Sequence, residues 1–155
     1  MDCDSKLLFY FNISVNLVQE MKILIVDDNA LCIKLLTYIL KKYSQDIICV
    51  ESGIQAIETI RENPDIDLIL MDILLPEMDG YEATRKIREF NPEVIIIAQT
   101  ALALCGEREK SIEAGCNDYI SKPYKINDLL NIIQRNLTTL NYKSSLNAVD
   151  ITGLL

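Results

Sequence analysis

The chain has 155 residues, half of them apolar, which is typical of a single folded domain. Its 15 basic and 23 acidic residues give a formal net charge of -8, which argues against general binding to nucleic acids or anionic membranes. The sequence contains no histidine, which excludes histidine acid–base catalysis, His-Asp triads and histidine metal ligands. Any chemistry must therefore use carboxylates, hydroxyls or lysine.

The cysteines and the start of the chain favour a cytoplasmic protein. No apolar run approaches the roughly 20 residues needed to span a membrane, and Asp2 and Asp4 stand where a signal peptide carries positive charge. The cysteines are odd in number and lack a Cys-x-x-Cys pair, so they predict neither a disulfide framework nor a zinc site. They are Cys3, Cys32, Cys49, Cys105 and Cys116.

Residues 1–20 differ in pattern from the rest of the chain. Their apolar residues alternate with polar ones as in a strand, but several also fall on one helical face, so both interpretations stay open. A third interpretation is that Met21, directly before the first predicted strand, is the biological start.

From Met21 onward, β-rich runs alternate with helical patterns, as in a parallel sheet covered by helices. The predicted strands are Lys22 to Val26, Ile47 to Val50, Asp67 to Met71, Val94 to Ala98 and Asn117 to Ser121. The predicted helices are Ala30 to Lys42, Gly53 to Glu62, Gly80 to Phe90, Leu102 to Ala114 and Ile126 to Leu140.

Local signals support these boundaries. Ser52 and Asp79 are suitable N-caps, and Gly115 can take the left-handed conformation that ends a helix. Apolar residues at helical spacing predict a stripe on each of the first two helices that packs against the sheet. These residues are Leu31, Leu35 and Ile39, then Ile54, Ile57 and Ile60.

Polar residues follow four of the predicted strands. Because the carboxyl ends of parallel strands meet at one edge of the sheet, we expect these polar residues to lie close together at that edge. They are Asp27 and Asp28 after the first strand, Asp72 after the third, Thr100 after the fourth and Lys122 after the fifth. Carboxylates this close repel by about 3 kcal/mol per pair at 5 Å and an effective dielectric near 20. A cation would relieve the repulsion, and oxygen ligands favour Mg²⁺.

The same residues suit phosphoryl chemistry. With Mg²⁺ drawing charge from a phosphoryl group, Asp72 is a plausible nucleophile toward phosphorus. Lys122 would pair with one phosphoryl oxygen, and the Thr100 hydroxyl would donate a hydrogen bond to another. The loop after the fourth strand would then move inward, and Tyr119 could fill the vacated space.

Several motifs together resemble the receiver domain of two-component response regulators, in particular receivers attached to hybrid sensor histidine kinases. They are Asp27-Asp28, Met71-Asp72, Leu75-Pro76-Glu77-Met78-Asp79-Gly80, Thr100-Ala101, Ala114-Gly115 and Asp118-Tyr119-Ile120-Ser121-Lys122-Pro123. The resemblance runs from about Lys22 to Leu140. It implies a doubly wound (βα)5 flavodoxin-like fold, whose parallel sheet has strand order 2-1-3-4-5 with helices on both faces. It also implies an extension over 1–20, a receiver domain over 21–140 and a tail over 141–155.

The resemblance assigns a role to each site residue. Asp27 and Asp28 would bind Mg²⁺ together with Asp72, and Leu74 would lend a backbone carbonyl. Asp72 would accept phosphate from a phosphohistidine of a sensor histidine kinase or histidine phosphotransfer protein, and Thr100 and Tyr119 would form the switch. The domain would be a phosphoacceptor rather than a conventional enzyme.

Other interpretations remain beside this one. Singly, Asp28 could cap the first helix and Asp72 could stabilise a turn. An Asp-nucleophile phosphatase of the haloacid dehalogenase type would need an Asp-x-Asp motif after the first strand, which Asp27-Asp28-Asn29 does not supply. A pseudo-receiver scaffold is disfavoured because no site residue is missing.

Output is expected through another protein, since residues 141–155 are too few for an effector domain. The fourth helix, fifth strand and fifth helix are the expected reporter face, and residues of the first helix such as Leu31, Lys34 and Leu35 are expected to select the kinase. A stand-alone regulator or relay, a receiver of a hybrid kinase, and phosphorylation-dependent dimerisation all stay open.

Two leucines predict slow loss of phosphate. Leu74 and Leu102 stand two residues after Asp72 and Thr100 respectively, and apolar side chains there cannot orient an attacking water.

Overall fold

The computed structural model describes residues 21–44, 46–101 and 106–150, with side chains through residue 138. Strands and helices alternate along the chain. The strands are β1 (Lys22–Val26), β2 (Asp46–Val50), β3 (Leu68–Asp72), β4 (Ile95–Thr100) and β5 (Asp118–Ser121). The helices are α1 (Ala30–Leu40), α2 (Gly53–Glu62), α3 (Gly80–Arg88), α4 (Glu107–Ala114) and α5 (Ile126–Asp150).

The strands form one parallel sheet in the order β2-β1-β3-β4-β5, which confirms the expected topology. Every residue of β3 and β4 is buried, as are the four apolar residues of β1. Strands covered by helices on both faces need nearly unbroken apolar sequences, and these three have them.

Alternation along the strands divides the core between the two faces. Leu24 and Val26 of β1 belong to the cluster that includes residues of α2 and α3, here called the α2/α3 face. Ile23 and Ile25 belong to the cluster that includes residues of α1 and α5, here called the α1/α5 face. Each strand is thus anchored on both sides, which holds the carboxyl edge of the sheet in place.

The predicted helix ends at Ser52, Asp79 and Gly115 are confirmed. The Ser52 side chain accepts a hydrogen bond from the Gln55 N–H, and the Asp79 side chain accepts one from the Glu82 N–H. Gly115 has φ 102°, a left-handed conformation that favours glycine.

The predicted stripe on the first helix is confirmed at Ile39 and wrong at Leu31 and Leu35. Leu31 and Leu35 are 76% and 57% exposed, whereas Leu36, Ile39 and Leu40 are buried. Almost every residue of α1 is apolar, so the sequence allows two apolar stripes on this helix. The stripe that contains Leu36 and Leu40 is the one that packs against the sheet. On α2, residues 57 and 60 are buried as predicted, but residue 54, in the first turn, is 42% exposed.

The last helix is longer than predicted, since α5 continues past Leu140 to Asp150. No glycine or proline interrupts residues 126–150, so the sequence contains no strong stop signal at the predicted end. The predicted start of the fourth helix at Leu102 lies outside the described residues, as do Cys105 and residues 1–20. Within the described part of the chain, no helix is long and apolar enough to cross a membrane.

Candidate functional site

The candidate site lies at the carboxyl edge of the sheet. Asp27 directly follows β1, Asp72 and Thr100 end β3 and β4, and Lys122 directly follows β5. Asp28 lies next to Asp27 and is exposed. This edge is where open parallel sheets place their binding sites.

Lys122 bridges two of the carboxylates. Its Nζ lies 2.6 Å from Asp27 Oδ2 and 2.8 Å from Asp72 Oδ2. The Asp27 side chain is fully buried and that of Asp72 is 10% exposed. Burial alone would lower the pKa of Lys122, but its hydrogen bonds to the two carboxylates outweigh burial and raise that pKa. Lys122 is therefore a charged ammonium group held between two acids.

The second oxygen of each bridged carboxylate accepts a backbone hydrogen bond. Asp27 Oδ1 accepts from the Asn29 N–H at 2.8 Å, and Asp72 Oδ1 accepts from the Leu74 N–H at 3.0 Å. Burial raises the pKa of Asp72 despite the opposing hydrogen bonds from Lys122 and the Leu74 N–H, and the charge of Asp27 raises it further. These bonds fix the orientation of both carboxylates.

Three acidic side chains are close enough to share one cation. Asp27, Asp28 and Asp72 each offer an oxygen, and the three oxygens lie within 4.8 Å of one another. A hard cation such as Mg²⁺ suits this all-oxygen donor set. Capping α1 is not the role of Asp28, because the Asn29 side chain accepts hydrogen bonds from the Leu31 and Cys32 N–H groups.

Thr100 ends β4, and Tyr119 lies in β5, the strand that leads to Lys122. The backbone oxygen of Thr100 accepts a hydrogen bond from the Lys122 N–H at 2.7 Å, which ties the end of β4 to the lysine. Tyr119 is the register partner of Ala98 and packs partly buried on the α2/α3 face. Because residues two apart on a strand share a face, Thr100 and Tyr119 lie on the same side of the sheet.

The turn after β3 is built around Asp72. The Ile73 N–H donates to Gln99 O and the Gly80 N–H donates to Ile73 O, each at 3.0 Å. A Cβ at Gly80 would overlap the backbone carbonyl of Asp72, so only glycine lets α3 begin this close to the site.

The roles of Gln99 and Tyr124 were not predicted from the sequence. Gln99 is fully buried on β4, and its Oε1 accepts a hydrogen bond from the Tyr124 hydroxyl. A glutamine that extends an otherwise apolar buried strand is the signal that could have drawn attention to it. Leu74 donates its N–H to Asp72, but its carbonyl as a metal ligand stays a prediction.

A doubly wound parallel sheet with three acids and a lysine at its carboxyl edge defines an α/β domain with a polar, cation-attracting site. The family described as "Response regulator receiver domain" matches residues 23–134. The chain therefore belongs to the response regulator receiver domain family, as its motifs predict.

Similar proteins come from plants, bacteria and yeast. Histidine kinase 3 of Arabidopsis thaliana is 36% identical, and the match covers 77% of this chain and 14% of that kinase. The receiver domain of a sensor histidine kinase from Pseudomonas aeruginosa PAO1, solved with magnesium in its active-site cleft, is 43% identical with a TM-score of 0.67. That match covers 74% of this chain and 95% of that domain.

A yeast structure shows a related receiver with its partner. The receiver domain of Saccharomyces cerevisiae Ssk1, crystallised with the histidine phosphotransfer protein Ypd1, is 31% identical with a TM-score of 0.67. The match covers 72% of this chain and 85% of that chain. In contrast, the chain spans only about a seventh of the length of the first curated relative.

Proposed function

We propose that this chain is a phosphoacceptor of two-component signalling that takes a phosphoryl group on Asp72. The donor is the phosphohistidine of a sensor histidine kinase or a histidine phosphotransfer protein. The observation that carries the proposal is the Lys122 ammonium held between Asp27 and Asp72 at the carboxyl edge of the sheet. This arrangement provides a nucleophilic carboxylate, a cation site and a positive charge for a phosphoryl oxygen.

Mg²⁺ is the proposed cation, held by Asp27, Asp28 and Asp72 with the backbone carbonyl of Leu74. When bound, it draws charge from the phosphoryl oxygens. The shared oxygen donors within 4.8 Å support this, as does the magnesium in the active-site cleft of the related Pseudomonas receiver.

In the proposed transfer, a carboxylate oxygen of Asp72 forms a bond to phosphorus while the phosphorus–nitrogen bond of the phosphohistidine breaks. The imidazole leaves with the electron pair of that bond. The Lys122 ammonium, already 2.8 Å from Asp72, pairs with a phosphoryl oxygen in the product. Thr100 donates a hydrogen bond from its hydroxyl to another oxygen, which draws the segment after β4 inward. Tyr119 then fills the vacated space to complete the switch.

Partners are proposed to meet two surfaces. The exposed apolar residues of α1, Leu31, Leu35 and Tyr38, suit contact with the phosphate donor, and they are 76%, 57% and 71% exposed. The surface of α4, β5 and α5 would pass the change to a downstream protein, or phosphate would be relayed onward. The yeast complex of a related receiver with a histidine phosphotransfer protein supports a donor of that class.

The test is the intact mass of the protein after incubation with Mg²⁺ and acetyl phosphate or phosphoramidate. Wild type should gain one labile phosphate and Asp72→Ala none, whereas Asp46→Ala, which removes an exposed carboxylate far from the site, should behave as wild type. No adduct on a folded wild type would refute the proposal and favour a scaffold. Donor turnover without an adduct would refute it in favour of a phosphatase.

A further inference from the structure

Gln99 is a polar side chain enclosed beside the proposed phosphoacceptor. It is the register partner of Asp72 between β3 and β4, so the two side chains leave the sheet on the same face. The Gln99 side chain is fully buried, and its Nε2 has no hydrogen-bond partner. Across the described part of the chain, it is the one buried side-chain nitrogen or oxygen in that condition. Such a group costs stability, so packing alone does not explain glutamine here.

The amide oxygen of Gln99 is engaged by Tyr124. The Tyr124 hydroxyl donates to Gln99 Oε1, and the Tyr124 ring packs partly buried on the α1/α5 face. Burial raises the pKa of Tyr124 to about 12, so the hydroxyl keeps its proton at neutral pH and remains the donor. The hydrogen bond therefore has one fixed direction.

This bond holds the segment that carries Lys122. At the lysine itself, the backbone N–H donates to Thr100 O at 2.7 Å. Two residues later, the Tyr124 hydroxyl donates to Gln99 Oε1. Two consecutive residues of β4 thus fasten the chain at and just after the lysine. A lysine side chain is long and flexible, so the place its ammonium group occupies depends on where this backbone is held.

We infer that Gln99 and Tyr124 are positioning residues that set the reach of the Lys122 ammonium toward Asp72. The inference rests on the proposed function, in which Lys122 meets a phosphoryl oxygen. The pair acts through Lys122, whose Nζ contacts both Asp27 and Asp72. Loss of the Tyr124 hydroxyl releases the segment after Lys122 and moves the ammonium from its place.

The first test is Tyr124→Phe, assayed by the rate of phosphorylation with phosphoramidate and saturating Mg²⁺. Misplacement of a charge-stabilising group by about 1 Å slows reactions up to about a hundredfold, so a loss of about tenfold or more is expected. Tyr81→Phe is the matched control, because the Tyr81 hydroxyl also bonds to side chains, Glu107 and Ser111, but away from Lys122. It should keep the wild-type rate.

A double variant separates positioning from stability. Tyr124→Phe alone leaves both polar ends of Gln99 unpaired, and its thermal midpoint should fall. Combining it with Gln99→Leu removes both polar partners, which should restore the midpoint but leave phosphorylation slow. If the double variant recovers the wild-type rate together with its midpoint, the pair is only structural and the inference is overturned.

The Lys122 side chain gives a readout that needs no phosphate. In NMR spectra, its Hε–Cε resonances should be shifted from free-lysine values in wild type and Tyr81→Phe, and should return toward them in Tyr124→Phe. A wild type that takes no phosphate would refute the proposed function, and these resonances would then decide the positioning role by themselves. A wild type that is phosphorylated at the same rate as Tyr124→Phe overturns the inference alone.

Discussion

Replacing Lys122 with methionine should destabilise the protein and make it depend on a divalent cation. The change leaves Asp27 and Asp72 buried without their shared counter-charge. Their oxygens lie within 4.8 Å, where two like charges repel by about 3 kcal/mol at an effective dielectric of 20. Removing one partner of a buried ion pair costs a similar amount, roughly 3 to 5 kcal/mol. We therefore expect the free energy of unfolding at pH 7 to fall by about 3 kcal/mol.

Urea unfolding in EDTA, followed by circular dichroism, measures this loss. With an m value of about 2 kcal/mol/M, the midpoint should fall by roughly 1.5 M. Lys86→Met is the control, because its ion pair with Glu82 is 3.6 Å long and nearly half exposed, and such pairs contribute about 1 kcal/mol or less. Equal losses in the two variants would refute the electrostatic reasoning.

Two conditions should reverse the loss in Lys122→Met. Added Mg²⁺ should stabilise this variant more than wild type, since the cation replaces the missing charge. Lower pH should also narrow the deficit, because burial already raises the pKa of Asp72 and a carboxyl with a raised folded-state pKa gains stability on protonation. A deficit that stays constant from pH 7 down to pH 4, in the presence and absence of Mg²⁺, would contradict both expectations.

Three further predictions concern single residues. Gly80→Ala should destabilise by about 2 kcal/mol or more through overlap with the Asp72 carbonyl, measured by urea unfolding. Gly106→Ala should cost only about 1 kcal/mol, because a φ of 92° strains alanine but no atom of the described residues lies within 4 Å of the added Cβ. Asp118→Asn should destabilise modestly at neutral pH, because burial alone would raise the Asp118 pKa but hydrogen bonds from α5 outweigh burial and lower that pKa below its usual value of 3.8. The loss should begin to shrink as pH falls through 3.8 and disappear only below the lower folded-state pKa, as urea midpoints across pH would show. Leu74→Asn should shorten the lifetime of the phosphorylated protein on the order of tenfold by orienting water, and an unchanged lifetime in a mass time course would exclude that role.

The buried strands and the site residues could be predicted because their signals are local. β3 and β4 are apolar runs enclosed on both faces, and each ends in a polar residue, Asp72 and Thr100. Parallel topology then brings those ends to one edge without any knowledge of side-chain contacts. Ser52 and Asp79 were equally predictable, since capping depends on neighbours three residues away.

Features decided by distant contacts could not be predicted in the same way. The apolar residues of α1 allow two buried stripes, and only packing against the sheet selects Leu36 and Leu40 over Leu31 and Leu35. The hydrogen bond between Gln99 and Tyr124 joins residues 25 apart in the chain, and no periodic pattern reports it. Sequence patterns therefore place residues on elements but do not resolve how one element is rotated against another.

Lys122 links the proposed chemistry to the rest of the fold. Its ammonium bonds to Asp27 and Asp72, while its backbone N–H bonds to the carbonyl of Thr100 at the end of β4. A phosphoryl group on Asp72 would carry more negative charge than the carboxylate it modifies and would draw the ammonium toward its oxygens. Any such movement would act on the backbone of Lys122, which bonds to Thr100, so the proposed change in charge at Asp72 would be transmitted to β4, the strand that precedes α4. The proposed switch thus needs no separate relay. Lys122, which would neutralise the phosphate, is already hydrogen-bonded to Thr100, which would respond to the phosphate.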